Sequence, residues 1–189
     1  MPSTDRPSEP KIQLRDPAFA ALLAWLWPGA GHLYQGRTAK GAMFMVCILG
    51  TFATGFLLGE GRVVYASWKP DDLRLYYVAQ VCVGGPALPA LIERFRYTRN
   101  RAGYTPLFRH DWYAPPRQRR GPDSADELDE LNYRMGRNFE FGTVYTAVAG
   151  LLNVLVIYDA WAGPAIIRKK EEDEPAAKDR DKEKAPPAE

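Results

Sequence analysis

The sequence is poor in the residues that build redox, metal and catalytic sites. Of its 189 residues, two are cysteine and two are histidine. Cys47 and Cys82 lie inside apolar runs, with no CxxC pair and no metal-ligand spacing, so we interpret them as small apolar side chains. The pair His110-Asp111 stands in a basic stretch without a visible nucleophile. We therefore predict no catalytic, metal or cofactor-binding residue and no cofactor.

Charge is missing from three long stretches of the chain. Residues 41–59, 75–92 and 141–158 contain no Asp, Glu, Lys or Arg. A transmembrane helix needs about 20 apolar residues, and a soluble core helix rarely lacks charge over such a length. We predict an all-α integral membrane bundle over residues 16–163. Its three full transmembrane helices are expected at about 41–59, 74–92 and 141–163.

A shorter apolar stretch precedes these runs at residues 17–27. Eleven residues at 1.5 Å each cover about 16 Å, about half of a hydrocarbon layer of about 30 Å. Pro28 disfavours helix at the residue before it, and Gly29 and Gly31 permit a turn. We predict a short membrane helix that is either re-entrant or a thin, kinked crossing. A cleaved signal peptide is the competing interpretation, and Asp16 beside the apolar core argues against it.

Small and polar residues recur along single faces of the predicted spans. Close helix contact needs such residues, and we interpret the pair Gly55–Gly59 as intramolecular packing rather than a dimer motif. Asn153, near mid-membrane, should face other helices, either as a packing hydrogen bond or as part of a polar route. The predicted helix-packing residues are Thr51, Gly55, Gly59, Thr146, Gly150 and Asn153.

The third apolar run carries Gly84, Gly85, Pro86 and Pro89. These residues predict a bent or broken helix. We favour a packing kink whose freed carbonyls are satisfied by neighbours over backbone exposed to a substrate.

Residues 93–140 form a polar loop with ten arginines and no lysine. Ser124 and Glu127 make a capping-box pattern that predicts a short amphipathic helix at about 124–137. We interpret the arginines chiefly as a topology signal, then as contacts to anionic lipid headgroups; nucleic acid is less favoured. The residues concerned are Arg94, Arg96, Arg99, Arg101, Arg117, Arg119 and Arg120. Residues 1–15 and 164–189 have disordered composition.

The distribution of basic residues bears on orientation. If residues 17–27 re-enter, residues 1–40 and 93–140 share a side that carries an excess of Lys and Arg, which predicts a cytoplasmic position for both. A full crossing by residues 17–27 leaves no bias. Both models place residues 28–40 and 93–140 on the same side, opposite residues 60–72.

The stretch LLAWLWPGAGHLYQGRTAKGAMFMVCILG, residues 22–50, resembles the two-transmembrane-helix domain family. The residues that carry the resemblance are Pro28, Gly29, Gly31, His32, Tyr34, Gly36, Arg37 and Gly41. The whole chain resembles uncharacterised bacterial membrane proteins of the planctomycete type. The resemblance implies a membrane-embedded helical hairpin in a bacterial inner membrane, with no catalytic residues to transfer.

These observations favour a non-enzymatic membrane scaffold or interaction protein, with membrane proteins and lipid as partners. The alternative is a small transporter or channel component, with a polar route near the broken third helix and Asn153. His32 is interpreted as an interfacial turn residue rather than a headgroup-binding or proton-handling group.

Overall fold

The computed structural model describes residues 16–69, 72–117 and 127–163. The predictions for residues 1–15, Arg119, Arg120, Ser124 and residues 164–189 lie outside the described residues. Most of the described chain is helical. The helices are α1 (Pro17–Leu26), α2 (Ala30–Tyr34), α3 (Thr38–Leu58), α4 (Leu75–Gln80), α5 (Pro89–Arg99), α6 (Glu127–Met135) and α7 (Arg137–Ala162). Strands β1 (Trp68–Lys69) and β2 (Asp72–Leu73) pair antiparallel, and 3-10 turns cover Val81–Val83, Gly85–Ala87 and Arg109–Asp111.

The long helices α3 and α7 form an antiparallel pair. Both consist mainly of apolar residues without proline, so no residue interrupts their backbone hydrogen bonds. Gly55 and Gly142 face each other, because a Cβ on either would overlap backbone of the other helix. At the opposite end of the pair, Lys40 of α3 donates to Asp159 of α7 at 2.7 Å. We call this second end the His32 end, and the end at Gly55 and Gly142 the loop end.

α3 and α7 have the length and composition of membrane-crossing helices, with 21 and 26 residues. Their outer faces expose large apolar side chains, including Val46 at 73%, Leu57 at 68% and Leu155 at 65%. A soluble monomer rarely exposes an apolar surface of this extent. The two helices therefore indicate membrane association.

Residues 16–37 form the first hairpin. Asp16 caps α1, accepting a hydrogen bond from the backbone N–H of Ala18 at 2.9 Å, and Pro17 occupies the first helical turn, where its missing N–H costs nothing. α1 ends before Pro28. Gly29 then reverses the chain at φ +83°, a backbone conformation that favours glycine.

The first hairpin enters the bundle from the His32 end and returns to it. α1 runs antiparallel to α7, since Ala20 clusters with Ala160 and the carbonyl of Ala24 accepts from Asn153. After α2, Gln35 donates to the carbonyl of Ala160 at 2.7 Å, so the chain has returned to the His32 end. In a bilayer, this path would correspond to the re-entrant alternative.

Residues 74–99 form the second hairpin, which enters from the loop end. α4 runs parallel to α7, as contacts of Arg74 with Thr143 and of Gln80 with Thr146 show. Gly84 then takes φ +77° and breaks the helix. After α5 the chain is again at the loop end, because the backbone N–H of Tyr113 donates to the carbonyl of Gly61 at 3.0 Å, just beyond the end of α3.

The loop end is closed by ion pairs between segments distant in sequence. Arg62 pairs with Asp111 at 2.9 Å and also contacts Glu127 of α6. Arg134 pairs with Glu60 at 2.7 Å. The main hydrophobic core extends from this end into the bundle, and joins residues 63–66 to α3, α4, α5, α6 and α7.

Three sequence predictions differ from the structure. A third full transmembrane helix over residues 74–92 is not confirmed: α4 has six residues, and Gly84, Pro86 and Pro89 divide the segment, as expected of a broken helix. Because this segment turns back, the loop after it lies at the end opposite to residues 28–40, not beside them. The loop also begins later than predicted, since α5 continues through Arg99.

Candidate functional site

The two hairpins meet at Asn153, in the middle of the bundle. The Asn153 side-chain amide is fully buried and donates to the carbonyl of Ala24, in the first hairpin, at 3.1 Å. It also donates to the carbonyl of Cys82, in the second hairpin, at 2.9 Å. One side chain on α7 therefore joins two segments that enter from opposite ends.

The hairpin tips are in direct backbone contact. A Cβ on Gly84 would overlap the carbonyl oxygen of Trp25, and one on Gly85 would crowd the carbonyl oxygen of Leu26. Glycine is therefore required where the tips touch. We call Asn153 together with these two tips the hairpin junction, and it is closed in this structure.

A buried polar layer lies between the hairpin junction and the loop end. The Gln80 amide donates to Thr146 Oγ1 at 2.7 Å and to the carbonyl of Val63 at 3.2 Å. The Arg74 guanidinium donates to Thr143 Oγ1 and packs over the ring of Tyr65 at 4.5 Å. These contacts attach the second hairpin to α7 and to residues 63–65. Ala79 also lies against Gly150 of α7.

A charged cluster closes the His32 end. One oxygen of Asp159, Oδ2, lies 2.6 Å from His32 Nε2 and accepts hydrogen bonds from Lys40 at 2.7 Å and Arg37 at 3.1 Å. We call these four residues the Asp159 cluster. His32 lies on α2, and Arg37 and Lys40 lie at the start of α3. The Asp159 carboxylate therefore fixes the turn between α2 and α3 to the end of α7.

His32 is fully buried, with its ring edge-on to Phe44 at 5.1 Å between centroids. Burial lowers its pKa; the hydrogen bond to Asp159 opposes this change, and the charges of Arg37 and Lys40 reinforce it. Because the Asp159 carboxylate is the acceptor, the Nε2–H of His32 donates in this bond. Its Nδ1 is buried without a hydrogen-bond partner among the described residues.

A surface pocket of about 500 Å³ opens at the loop end, around the Arg62–Asp111 pair. Three of its residues, Glu60, His110 and Asp111, have left-handed backbone, with φ between 49° and 62°. Such conformations in residues other than glycine are uncommon and concentrate at binding and functional sites.

The predicted hairpin-turn residues come together only in part. Pro28, Gly31 and His32 are buried, and Gly41 packs against the carbonyl of Gly29. Arg37 reaches the Asp159 cluster. Tyr34 packs edge-on against Phe19 at 5.1 Å between ring centroids. Gly36 has no neighbour within 4 Å of a Cβ placed there, so no close contact requires glycine at that position.

The predicted packing residues also divide. Gly55, Thr146, Gly150 and Asn153 lie at contacts between elements. Thr51 Oγ1 donates to the carbonyl of Cys47 in its own helix. Gly59 lies against Val63 and also at the contact with α7, since a Cβ on Gly142 would lie 3.0 Å from the Gly59 nitrogen. The described basic-loop residues Arg94, Arg96 and Arg99 lie on α5; Arg101 and Arg117 lie beyond it.

Sequence analysis did not pair polar residues that are remote from each other in the chain. His32 and Asp159 are separated by 127 positions, and no local spacing links them. Gln80 and Glu93 were not singled out, although both are fully buried. A polar residue within or next to a long apolar run was the available signal for Gln80 and Glu93.

A family model describing a family of unknown function (DUF6677) matches residues 19–173, so the chain belongs to that family. The match includes both hairpins and both long helices. No curated protein and no solved structure matches the chain. Within the described residues, no group of three or more His, Cys, Asp or Glu side chains is placed to hold a metal ion.

Proposed function

We propose that this member of a family of unknown function is a non-enzymatic integral membrane scaffold, which crosses the bilayer with α3 and α7 and presents its loop end to a protein partner. The two hairpins each enter about half of the bilayer. The resemblance to bacterial two-transmembrane-helix proteins supports an inner-membrane location.

The closed hairpin junction carries this proposal. Asn153 uses both amide hydrogens to hold the tips together, and the carboxylate of Asp159 is surrounded by three partners. The buried polar groups thus lock elements to one another, as expected of a rigid support rather than a reaction site.

The loop end supports the interaction role. Its ion pairs and its residues with left-handed backbone shape a surface pocket. Trp112, in the wall of that pocket, is partly exposed. Exposed aromatic and arginine side chains are common in protein interfaces. Lys and Arg number 12 in residues 1–40 and 164–189 and 13 in residues 59–140, so charge alone favours neither orientation.

Reconstitution tests the scaffold proposal. Proteoliposomes containing the purified chain should show no ion flux above that of empty liposomes. In membranes, a photo-crosslinking residue at Trp112 should give a discrete protein adduct, whereas the same residue at Val46, on the lipid-facing side of α3, should not. Flux that disappears in Asn153→Leu, or identical adducts from both positions, would contradict the proposal.

A transporter or channel component is the second candidate. It is favoured by the meeting of two half-crossing hairpins from opposite ends, because broken membrane helices form substrate sites in transporters. Buried oxygens of Gln80 and Asn153 also have no hydrogen-bond partner among the described residues. Parting of the tips at Gly84 would be the required opening step.

A further inference from the structure

A basic pocket lies where α5 emerges at the loop end. It has a volume of about 350 Å³ and is lined by Arg96, Arg99, Asn100, Gly103, Tyr104 and Thr105. It contains two arginines and no acid, whereas the pocket around Arg62 contains both signs of charge. No ion pair joins Arg96 or Arg99 to a carboxylate within residues 16–69, 72–117 and 127–163.

A buried framework shapes this basic pocket. Glu93 is fully buried and accepts hydrogen bonds from Tyr104 Oη at 2.8 Å and from the backbone N–H of Leu107 at 2.6 Å. The rings of Tyr97 and Tyr104 pack edge-to-face at 5.1 Å. The Arg96 guanidinium also donates to the carbonyl of Thr105 at 3.2 Å. The wall is thus held in place before any ligand arrives.

The side chains of α5 indicate the depth at which the pocket would lie in a bilayer. Ile92 and Phe95 are exposed at 50% and 74%, as lipid-facing residues are. Arg96 and Arg99 lie four residues after Ile92 and Phe95, on the same face of the helix. On that face, apolar surface therefore gives way to cationic surface. This transition is typical of the level of lipid headgroups.

We propose that this pocket binds the phosphate of an anionic phospholipid headgroup, with the guanidinium groups of Arg96 and Arg99 as donors and the acyl chains lying against Ile92 and Phe95. Arginine pairs well with phosphate because its planar donors match two phosphate oxygens. The inference rests on the membrane placement proposed above, but not on the scaffold role.

Lipid selection by the intact chain tests the assignment. The protein is placed in nanodiscs of phosphatidylcholine with a minor fraction of phosphatidylglycerol, and lipids retained after release into mild detergent are counted by native mass spectrometry. The wild type should retain phosphatidylglycerol preferentially. Arg96→Gln with Arg99→Gln should lower the preference about 10- to 30-fold, since each arginine near an anionic surface contributes about 1 kcal/mol.

The matched control is Arg109→Gln with Arg137→Gln, which removes the same charge from exposed positions at the same end. This control should keep the preference. An unchanged preference in the first variant, or an equal loss in the control, would overturn the pocket. If inorganic phosphate displaced the retained lipid as effectively as added phosphatidylglycerol did, the pocket would be a free-phosphate site. That result would overturn the lipid assignment. Because the nanodisc protein is already in a bilayer, failure here leaves membrane insertion and the scaffold proposal intact.

Discussion

At the scale of single residues, Asn153 and His32 connect parts of the chain that are far apart along the backbone. Asn153 satisfies one carbonyl from each hairpin, and His32 joins α2 to the end of α7. In a bilayer no water is available to replace such partners. Each side chain therefore affects the stability of a whole hairpin.

Replacement of Asn153 by leucine should destabilise the fold by about 1–3 kcal/mol, because two buried carbonyls lose their donor. Thermal unfolding in detergent measures the effect. The control is Val154→Leu, at the exposed neighbouring position on α7, which should change the midpoint little. Equal midpoints for the two variants would show that Asn153 does not hold the junction.

The His32 end should lose stability in acid. Because burial lowers the pKa of His32, the folded state favours the neutral imidazole, and protonation favours the unfolded state. Stability is therefore fully present above the ordinary histidine pKa of about 6.5 and falls as the pH drops below it.

The unfolding midpoint, measured from about pH 7.5 to about pH 5.5, should show this decrease. His32→Gln keeps a donor for Asp159 but cannot titrate, so it should flatten the profile over this range. A profile identical in both proteins would assign the acid sensitivity to other groups.

At the scale of elements, the hairpins are made possible by glycine and proline at their tips. Gly29 and Gly84 adopt left-handed backbone, and Pro28 and Pro86 prevent a straight continuation of the preceding helix. Each hairpin thus turns within the bundle, and the two tips fit together because no side chain stands between them.

Gly84→Ala should therefore destabilise the protein by at least about 1–2 kcal/mol, the cost of left-handed backbone in a residue with a Cβ. Overlap with the Trp25 carbonyl adds to this. Gly50→Ala is the control: it lies within α3 with open space around it, so it should be neutral or slightly stabilising. Thermal unfolding compares them, and similar midpoints would argue against tip contact.

At the scale of the whole molecule, the membrane placement proposed above gives the fold two crossings and two half-crossings. The start of α1, the start of α3 and the end of α7 share the His32 end, while residues 60–74 and 100–117 share the loop end. The hairpin junction is the only place within the described residues where segments entering from opposite ends are bridged by one side chain.

Single-cysteine labelling distinguishes this topology from three full crossings. In a background without Cys47 and Cys82, an impermeant reagent should label Trp68→Cys and Ala102→Cys from the same side and Thr38→Cys from the other. All three positions are exposed. Three full crossings would instead place positions 38 and 102 together, and that pattern would exclude the second hairpin.

The sequence by itself determined the long apolar helices, the early end of α1 and the break in the third apolar run. These features depend on local causes: uncharged length, Pro28, and Gly84 with Pro86 and Pro89. Helix length and backbone breaks follow from residues that are neighbours in the chain, and such information is fully present in the sequence.

Only the tertiary structure decided where the broken segment goes and which polar residues meet. A break at Gly84 allows either a kinked crossing or a return, and the choice depends on the contact of the hairpin tips and on the donors of Asn153. The pairing of His32 with Asp159 likewise follows from the antiparallel packing of α3 and α7. Partners far apart in the chain leave no local pattern, because it is packing that brings them together.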